Sequence, residues 1–237
     1  MFYVIRIRKT GYFPAIALCF CALVMLALTI VNIRAVSVNA EVTGGCIVID
    51  PGHGGIDSGA VSINGKKESD INLAIGLKLQ KIAEFYGVDT VMTRTDDSAN
   101  TDFANYSEHR ELVRRVDIIN SIPGGVLFSI HQNCFPTSQP SGAQILYGSA
   151  DGSEALGKIT HSNIINCLEP ENRRLAGPAS KGLFITAHAQ CPSVLAECGF
   201  MSSFSDLEKL VTSEYQTSLA AIMFASYVQF VGGTGSY

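Results

Sequence analysis

Residues 47–55 constrain the fold more than any other stretch, because an apolar segment there runs directly into a glycine-rich turn that carries a histidine. The stretch reads Ile47-Val48-Ile49-Asp50-Pro51-Gly52-His53-Gly54-Gly55. A short apolar run followed by Pro and Gly is typical of a buried parallel strand and of the loop at its carboxyl end. The stretch therefore predicts a parallel sheet with a histidine at its rim.

Two later stretches follow the same pattern. The apolar residues 126–130 precede His131, and residues 193–196 precede Glu197. In an open α/β sheet, ligands and catalytic groups gather beyond the carboxyl ends of the strands. We therefore expect His53, His131 and Glu197 to lie close together, although they are far apart in sequence.

Predicted helices alternate with these strands. Ser69 and Asp70 are good caps for a first amphipathic helix, which ends at Gly87. Other helices are predicted over 107–122, 153–168, 205–208 and 215–230, further strands over 88–93, 143–147 and 183–186, and an exposed loop over 170–182. This alternation predicts an α/β fold, with a mostly parallel twisted sheet and helices on both faces.

The first 40 residues differ in character from the rest. Residues 10–33 carry no charge, and a span of roughly 17 to 25 residues crosses a bilayer. Basic residues precede the segment, so the positive-inside rule places the remainder outside the cytoplasm. A removed signal peptide cleaved after Ala40, an uncleaved membrane anchor and a buried helix of the globular domain are the alternatives. We expect a domain over 41–231 and a flexible tail over 232–237.

Length and charge narrow the class of protein. A chain of 237 residues has room for one substantial domain after such a segment. From Glu41 onward, 13 Lys and Arg residues stand against 21 Asp and Glu residues. This acidic balance argues against a nucleic-acid-binding surface or an anionic-membrane surface on the folded part.

Five cysteines lie in the predicted domain, an odd number without a Cys-x-x-Cys pair. This pattern fits neither a zinc ribbon nor a disulfide scaffold, although a single disulfide stays open. We expect most of the five to be small buried apolar residues. Cys198 is not expected to act as a nucleophile, because it alternates with Glu197 along a strand and should face the other way.

The residues at the strand ends suggest metal chemistry. Glu68 stands just before the first helix, and with His53 and His131 it would form a three-ligand zinc set that leaves one position for water. The metal would lower the pKa of that water and polarise an amide carbonyl. Glu197 is placed to transfer the proton, and Asp50 to hold a zinc histidine by a hydrogen bond. From the residues alone, a structural role for either histidine stays open.

Four blocks of sequence stand out, at residues 49–60, 68–73, 129–133 and 197–202, with shorter ones at 93–96 and 141–144. They resemble the signature blocks of the zinc-dependent N-acetylmuramoyl-L-alanine amidases of type 3. The resemblance implies zinc on His53, Glu68 and His131, a catalytic carboxylate at Glu197, and cleavage of the amide between the lactyl group of muramic acid and L-alanine. Gln132 and Ser203 depart from the residues usual in that family.

Within that family, the chain is most similar to the germination-specific (CwlD) type of endospore formers, which prepares cortex peptidoglycan for muramic-δ-lactam synthesis. This similarity implies action between the two spore membranes, with peptidoglycan as substrate and room for a regulatory protein partner. The alternatives are a vegetative autolysin of the same chemistry, a zinc carboxypeptidase on the stem peptide, and a wall-binding module with a vestigial site. Arg173 and Arg174 could meet a peptide carboxylate, but a charged pair on a loop is usually solvated, and we expect that role for both.

Overall fold

One mixed sheet, whose carboxyl rim carries the residues of interest, forms the centre of the domain. The computed structural model describes residues 45–98, 106–136 and 140–234. The strand order is β2-β1-β3-β6-β4-β5, and neighbouring strands are parallel except for the antiparallel pair β4 and β6. The strands are β1 Cys46–Pro51, β2 Asp89–Met92, β3 Gly125–Asn133, β4 Gln144–Tyr147, β5 Gly177–Pro178 and β6 Ser193–Phe200.

Helices cover both faces of this sheet, as the sequence predicts. Side chains of α1, α3 and α6 pack with Ile47 and Ile49 of β1 in the larger core. Side chains of α2 and α4 pack with Val48 and Leu127 on the opposite face. The helices are α1 Glu68–Phe85, α2 Glu108–Asn120, α3 Ser153–Cys167, α4 Phe184–His188, α5 Phe204–Leu210 and α6 Ser213–Thr234.

The period-two alternation of the strands decides which face each polar side chain occupies. His131 follows Leu127 by four residues, so both side chains lie on the face that α2 and α4 cover. Glu197 is the β6 partner of His131 in the sheet register and shares that face. Cys198 belongs to the opposite core and is 1% exposed, which confirms that it faces away from Glu197.

Helix α1 begins at Glu68, ahead of the predicted caps Ser69 and Asp70. The first N–H groups of a helix need partners from outside it. Here the loop before the helix supplies them, since Glu68 N donates to Ala60 O at 2.9 Å and Ser69 N donates to Ser58 O at 3.1 Å. These bonds tie the loop that follows His53 to the helix that carries Glu68.

The predicted strand over 183–186 is wrong, because Leu183 is the N-cap of the short helix α4 and the other three residues lie within that helix. A run of four apolar and β-branched residues is too short to distinguish a strand from a buried helical turn. Ile185 packs into the core beside α2, and the Thr186 hydroxyl donates to Leu183 O at 3.1 Å within the turn. The sheet edge is occupied instead by β5, which lies in the predicted loop over 170–182.

The described residues include the end of the predicted domain but not the apolar N-terminal segment. The apolar N-terminal segment predicted as a signal peptide or anchor lies outside the described residues. Within the residues that are described, no helix is sufficiently long and apolar to span a membrane. At the other end, α6 continues to Thr234, past the position where the tail was expected to begin.

The cysteines of the described domain are all free thiols. The expectation that most of them are buried is wrong. Cys198 is buried, Cys46 and Cys191 are half-buried, and Cys134 and Cys167 are exposed.

Candidate metal centre

His53, Glu68 and His131 converge at the carboxyl rim of the sheet. Glu68 Oε1 lies 3.3 Å from His53 Nε2 and 3.3 Å from His131 Nδ1. One ligand atom from each of the three residues lies within 4.8 Å of the others, so the group could hold a metal ion. Two imidazole nitrogens and one carboxylate oxygen are the donors found in catalytic zinc sites. The three residues therefore fit the ion that the sequence predicts.

Glu68 is fixed in the centre by donors from three segments. Its Oε2 accepts from Ala60 N at 2.9 Å, and its Oε1 accepts from Gln132 N at 3.0 Å and from Asn72 Nδ2 at 3.3 Å. Burial alone would raise the pKa of Glu68, but His131 and His53 lower it well below its ordinary value. Glu68 is therefore held as a carboxylate, the form that binds a cation.

His53 is oriented by a carboxylate of its own loop. Its Nδ1 lies 2.7 Å from Asp57 Oδ2, which leaves Nε2 facing Glu68. Burial alone would lower the pKa of His53, but Asp57 and Glu68 raise it to about 10. The backbone of His53 is left-handed, with φ of 62°, a conformation that is uncommon for residues other than glycine and concentrates at functional sites.

His131 approaches the loop so closely that only glycine fits opposite it. A Cβ atom placed on Gly52 would lie 2.2 Å from His131 Cε1 and 2.3 Å from His131 Nε2. The rings of His53 and His131 meet edge to face, with centroids 5.0 Å apart. The Pro-Gly-His turn thus brings one imidazole to the rim and makes room for the other.

Glu197 lies beside the centre with one oxygen free. It is the register partner of His131 across β3 and β6. Its Oε2 is buried and has no hydrogen-bond partner among the described residues. Burial raises the pKa of the Glu197 carboxyl above its usual range. A carboxyl with a raised pKa and a free oxygen is suited to accepting and returning a proton near neutral pH.

Asp50 does not hold a histidine, so that prediction is wrong. Its oxygens accept from Thr93 Oγ1 at 2.7 Å, Ser129 Oγ at 2.7 Å and Arg115 Nη1 at 2.9 Å. Asp57 performs the role expected of Asp50, as the carboxylate that orients His53. Arg115 of α2 explains the difference, because its guanidinium commits Asp50 to a buried ion pair.

Two buried arginines hold the loop that carries His53. Arg115 Nη2 donates to His53 O at 2.7 Å, and its Nη1 donates to Pro51 O at 2.9 Å. Arg94 donates from Nε to Pro51 O at 2.9 Å and from Nη2 to Ser69 O at 2.8 Å. Each guanidinium satisfies several carbonyls of a sharply turning backbone, which explains how the loop keeps an uncommon conformation.

Replacing Arg115 by methionine should destabilise the fold strongly. The change leaves Asp50 as a buried carboxylate without its cation, and breaking a buried pair in this way costs about 3–5 kcal/mol in the free energy of unfolding. Urea unfolding at neutral pH measures the loss. Arg114→Met on the exposed side of α2 is the matched control, with an expected change within about 0.5 kcal/mol. Equal losses in the two variants would contradict the assignment.

The pH dependence of that loss has a definite sign. Burial alone would raise the pKa of Asp50, but Arg115 and Thr93 lower it. In the unsubstituted chain, the stabilisation by Asp50 is therefore present above the ordinary pKa of about 4 and is lost as the pH falls through the lowered value. In Arg115→Met the effect of burial on the pKa of Asp50 dominates, so the Asp50 carboxyl becomes protonated at a higher pH than in the unsubstituted chain. The stability gap between the two proteins should narrow from neutral pH towards about pH 3.

Sequence reasoning missed several residues that support the centre. Asn72 stands four residues after Glu68 on the same side of α1, a helical spacing that could have indicated it. Asp57 stands four residues after His53 in a loop, where that spacing carries no such signal. Gln132 donates from Nε2 to Asn72 Oδ1 at 3.0 Å, which gives this departure from the family pattern a supporting contact. Ser203, the other departure, accepts from Asp206 N and caps α5.

The chain is similar to known amidases over most of its length. The family model described as N-acetylmuramoyl-L-alanine amidase matches residues 47–226. The germination-specific N-acetylmuramoyl-L-alanine amidase of Bacillus subtilis is 30% identical over 197 residues, which cover 79% of this chain and 80% of that protein. The sporulation-specific N-acetylmuramoyl-L-alanine amidase of the same organism is 30% identical over 178 residues, 73% of this chain and 63% of that protein.

Solved structures agree with this relationship. The CwlD amidase of Clostridioides difficile, solved in complex with the GerS lipoprotein, is 31% identical and superposes with a TM-score of 0.75. The match covers 80% of this chain and 100% of the CwlD chain. Together with the family match and the geometry at the sheet rim, these similarities establish that the chain belongs to the type 3 N-acetylmuramoyl-L-alanine amidase family.

Proposed function

We propose that this protein is a zinc-dependent amidase that cleaves the bond between the lactyl group of N-acetylmuramic acid and the L-alanine of peptidoglycan stem peptides. The observation that carries the proposal is the convergence of His53, Glu68 and His131 within 4.8 Å, next to the strand partner Glu197. Family membership supports the substrate and the bond.

The chemistry divides between the metal centre and the adjacent carboxyl. Zinc held by His53, Glu68 and His131 would polarise the amide carbonyl and activate a water molecule. Asp57 fixes the orientation of His53 through Nδ1, which keeps Nε2 available to the centre. Glu197 takes a proton from the water and delivers it to the leaving nitrogen of L-alanine. Its buried Oε2, which has no hydrogen-bond partner among the described residues, supports this assignment.

A role in spore cortex maturation, in the muramic-δ-lactam pathway, is the more specific part of the proposal. It is supported by the similarity to the germination-specific and sporulation-specific amidases of Bacillus subtilis and to the CwlD amidase. Such a role places the protein outside the cytoplasm, in the space between the spore membranes, as a secreted or membrane-anchored enzyme. The lipoprotein bound to the similar CwlD amidase supports a regulatory protein partner here.

Chelation and product analysis test this function together. We expect a chelator to abolish hydrolysis of purified muropeptides and stoichiometric zinc to restore it, because the reaction needs the metal to activate water. Mass spectrometry should find the new amine on L-alanine. Release of a terminal D-alanine would identify a carboxypeptidase instead, and full activity after verified metal removal would refute the zinc mechanism. Loss of cortex muramic-δ-lactam in a gene deletion would distinguish the spore role from vegetative autolysis.

A further inference from the structure

Arg173 and Arg174 are neighbours in sequence but occupy very different environments. Arg173 is exposed, and its Nη2 lies 3.1 Å from Glu171 Oε2. Arg174 donates from Nη2 to Gln144 Oε1, and its Cζ lies 4.9 Å from the centroid of the Phe200 ring. The prediction of two solvated loop residues holds for Arg173 and is wrong for Arg174. The guanidinium of Arg174 is held in place by an aromatic ring.

Arg174 has an unused donor and, among the described residues, no carboxylate at ion-pair distance. Its Nε is buried and has no hydrogen-bond partner in the described part of the chain. No carboxylate of the described residues lies within ion-pair distance of its guanidinium. A buried unpaired N–H is costly, so such a group in a native structure calls for a partner from outside. A fixed guanidinium with a free donor is matched to a carboxylate ligand.

The sheet register relates Arg174 to the metal centre. Gln144, which accepts from Arg174, is the β4 partner of Glu197, and Glu197 is the β6 partner of His131. Cross-strand partners point to the same face, so His131, Glu197 and Gln144 form one row that ends at Arg174. Adjacent strands lie about 4.8 Å apart, which puts Gln144 roughly 10 Å from His131.

A cavity of about 660 Å³ lies next to Arg174. Arg173 and Lys209 also line it, but both are paired with acids. Lys209 lies 3.2 Å from Glu169 Oε1 and 3.7 Å from Asp206 Oδ1. Glu169, Glu171 and Asp206 also line the cavity and balance Arg173 and Lys209. Among its described lining residues, Arg174 is therefore the cation without an acid at ion-pair distance.

We propose that Arg174 binds a carboxylate of the stem peptide, on the second or third residue beyond the scissile amide. This inference rests on the proposed amidase function, which places the scissile carbonyl at the metal centre. An extended peptide advances about 3.3 Å per residue, so roughly three residues cover the row from His131 to Gln144. The second residue of a stem peptide is joined through its side-chain carboxyl and keeps a free α-carboxylate. The third carries another carboxylate when it is a diaminodicarboxylic acid.

Binding to a catalytically inactive chain tests the proposal without relying on turnover. In the full chain carrying Glu197→Gln, with zinc supplied, we expect Arg174→Ala to weaken muropeptide binding about 10- to 100-fold by titration calorimetry, as loss of a charged hydrogen bond predicts. Arg174→Lys should recover part of the affinity. Arg173→Ala is the matched control and should change affinity less than about twofold.

The substrate variants identify the carboxylate. One peptide carries an amidated second residue, and another carries lysine in place of the diaminodicarboxylic acid at the third. In the protein that keeps Arg174, the peptide lacking the recognised carboxylate should bind more weakly than the complete peptide. In Arg174→Ala, the two peptides should bind with equal affinity, as a double-mutant cycle requires. The proposal would be overturned if Arg174→Ala weakened the binding of every peptide equally, or if it did not weaken binding at all. If the chain with Glu197 intact cleaves no muropeptide, the proposed function itself fails; cleavage without carboxylate discrimination refutes only the role of Arg174.

Discussion

Replacing Glu197 by glutamine should reduce amide hydrolysis by about a thousandfold while the metal centre and the fold stay intact. Glutamine keeps the shape of the side chain but can neither accept nor return the proton, and general acid–base catalysis contributes about 10² to 10⁴ in rate. The loss should fall on kcat, because Glu197 is not one of the three residues that group around the metal position. Muropeptide hydrolysis at saturating zinc measures it.

Two further measurements separate a catalytic role for Glu197 from a structural one. The zinc content of the variant should equal that of the unsubstituted chain. Its melting temperature should be unchanged or slightly higher. A buried carboxylate is costly to the folded state when one of its oxygens finds no partner in the described part of the chain. Glu84→Gln, at an exposed carboxylate of α1, is the matched control and should retain full activity. A Glu197→Gln variant with normal kcat would remove this residue from the mechanism.

The convergence at the sheet rim could be predicted because it follows from short-range patterns. Apolar runs that end in His53, His131 and Glu197 predict parallel strands, and parallel strands bring their carboxyl ends to one edge. The structure brings His53 and His131 together with Glu68 and places Glu197 on the next strand. The alternation of side chains also predicts correctly that Cys198 points away from Glu197.

What could not be predicted depends on contacts between segments that are distant in sequence. Asp50 and Asp57 flank His53 almost symmetrically in sequence. Only the position of Arg115, 65 residues after Asp50, decides that Asp50 is committed to a buried ion pair. Arg174 likewise resembles any loop arginine until Gln144 and Phe200 are placed beside it. Residues 183–186 form a short apolar run, and such a run fits a buried strand as well as a helical turn packed against another helix. Their position beside α2, which favours the helical turn, cannot be read from the run itself.

Replacing Glu68 by alanine should remove zinc binding and also destabilise the metal-free protein. The variant loses one of three candidate ligands, so we expect zinc affinity to fall by at least about a thousandfold and hydrolysis to become undetectable. The carboxylate also accepts from Ala60 N, Gln132 N and Asn72 Nδ2. Leaving buried donors unpaired costs about 1–3 kcal/mol for each group that cannot find water.

Glu68→Ala has a close control in the same turn of α1. Asp70 is exposed, so Asp70→Ala removes an acidic residue near the helix N-terminus without touching the centre, at a cost below about 1 kcal/mol. Zinc titration and urea unfolding of the two metal-free variants measure both effects. Because His131 and His53 lower the pKa of Glu68, its stabilisation is present above an ordinary pKa of about 4.3 and is lost as the pH falls below it. The difference in stability between Glu68→Ala and the unsubstituted chain should therefore disappear as the pH is lowered. A difference that does not depend on pH would show that Glu68 is not held as a carboxylate between the two imidazoles.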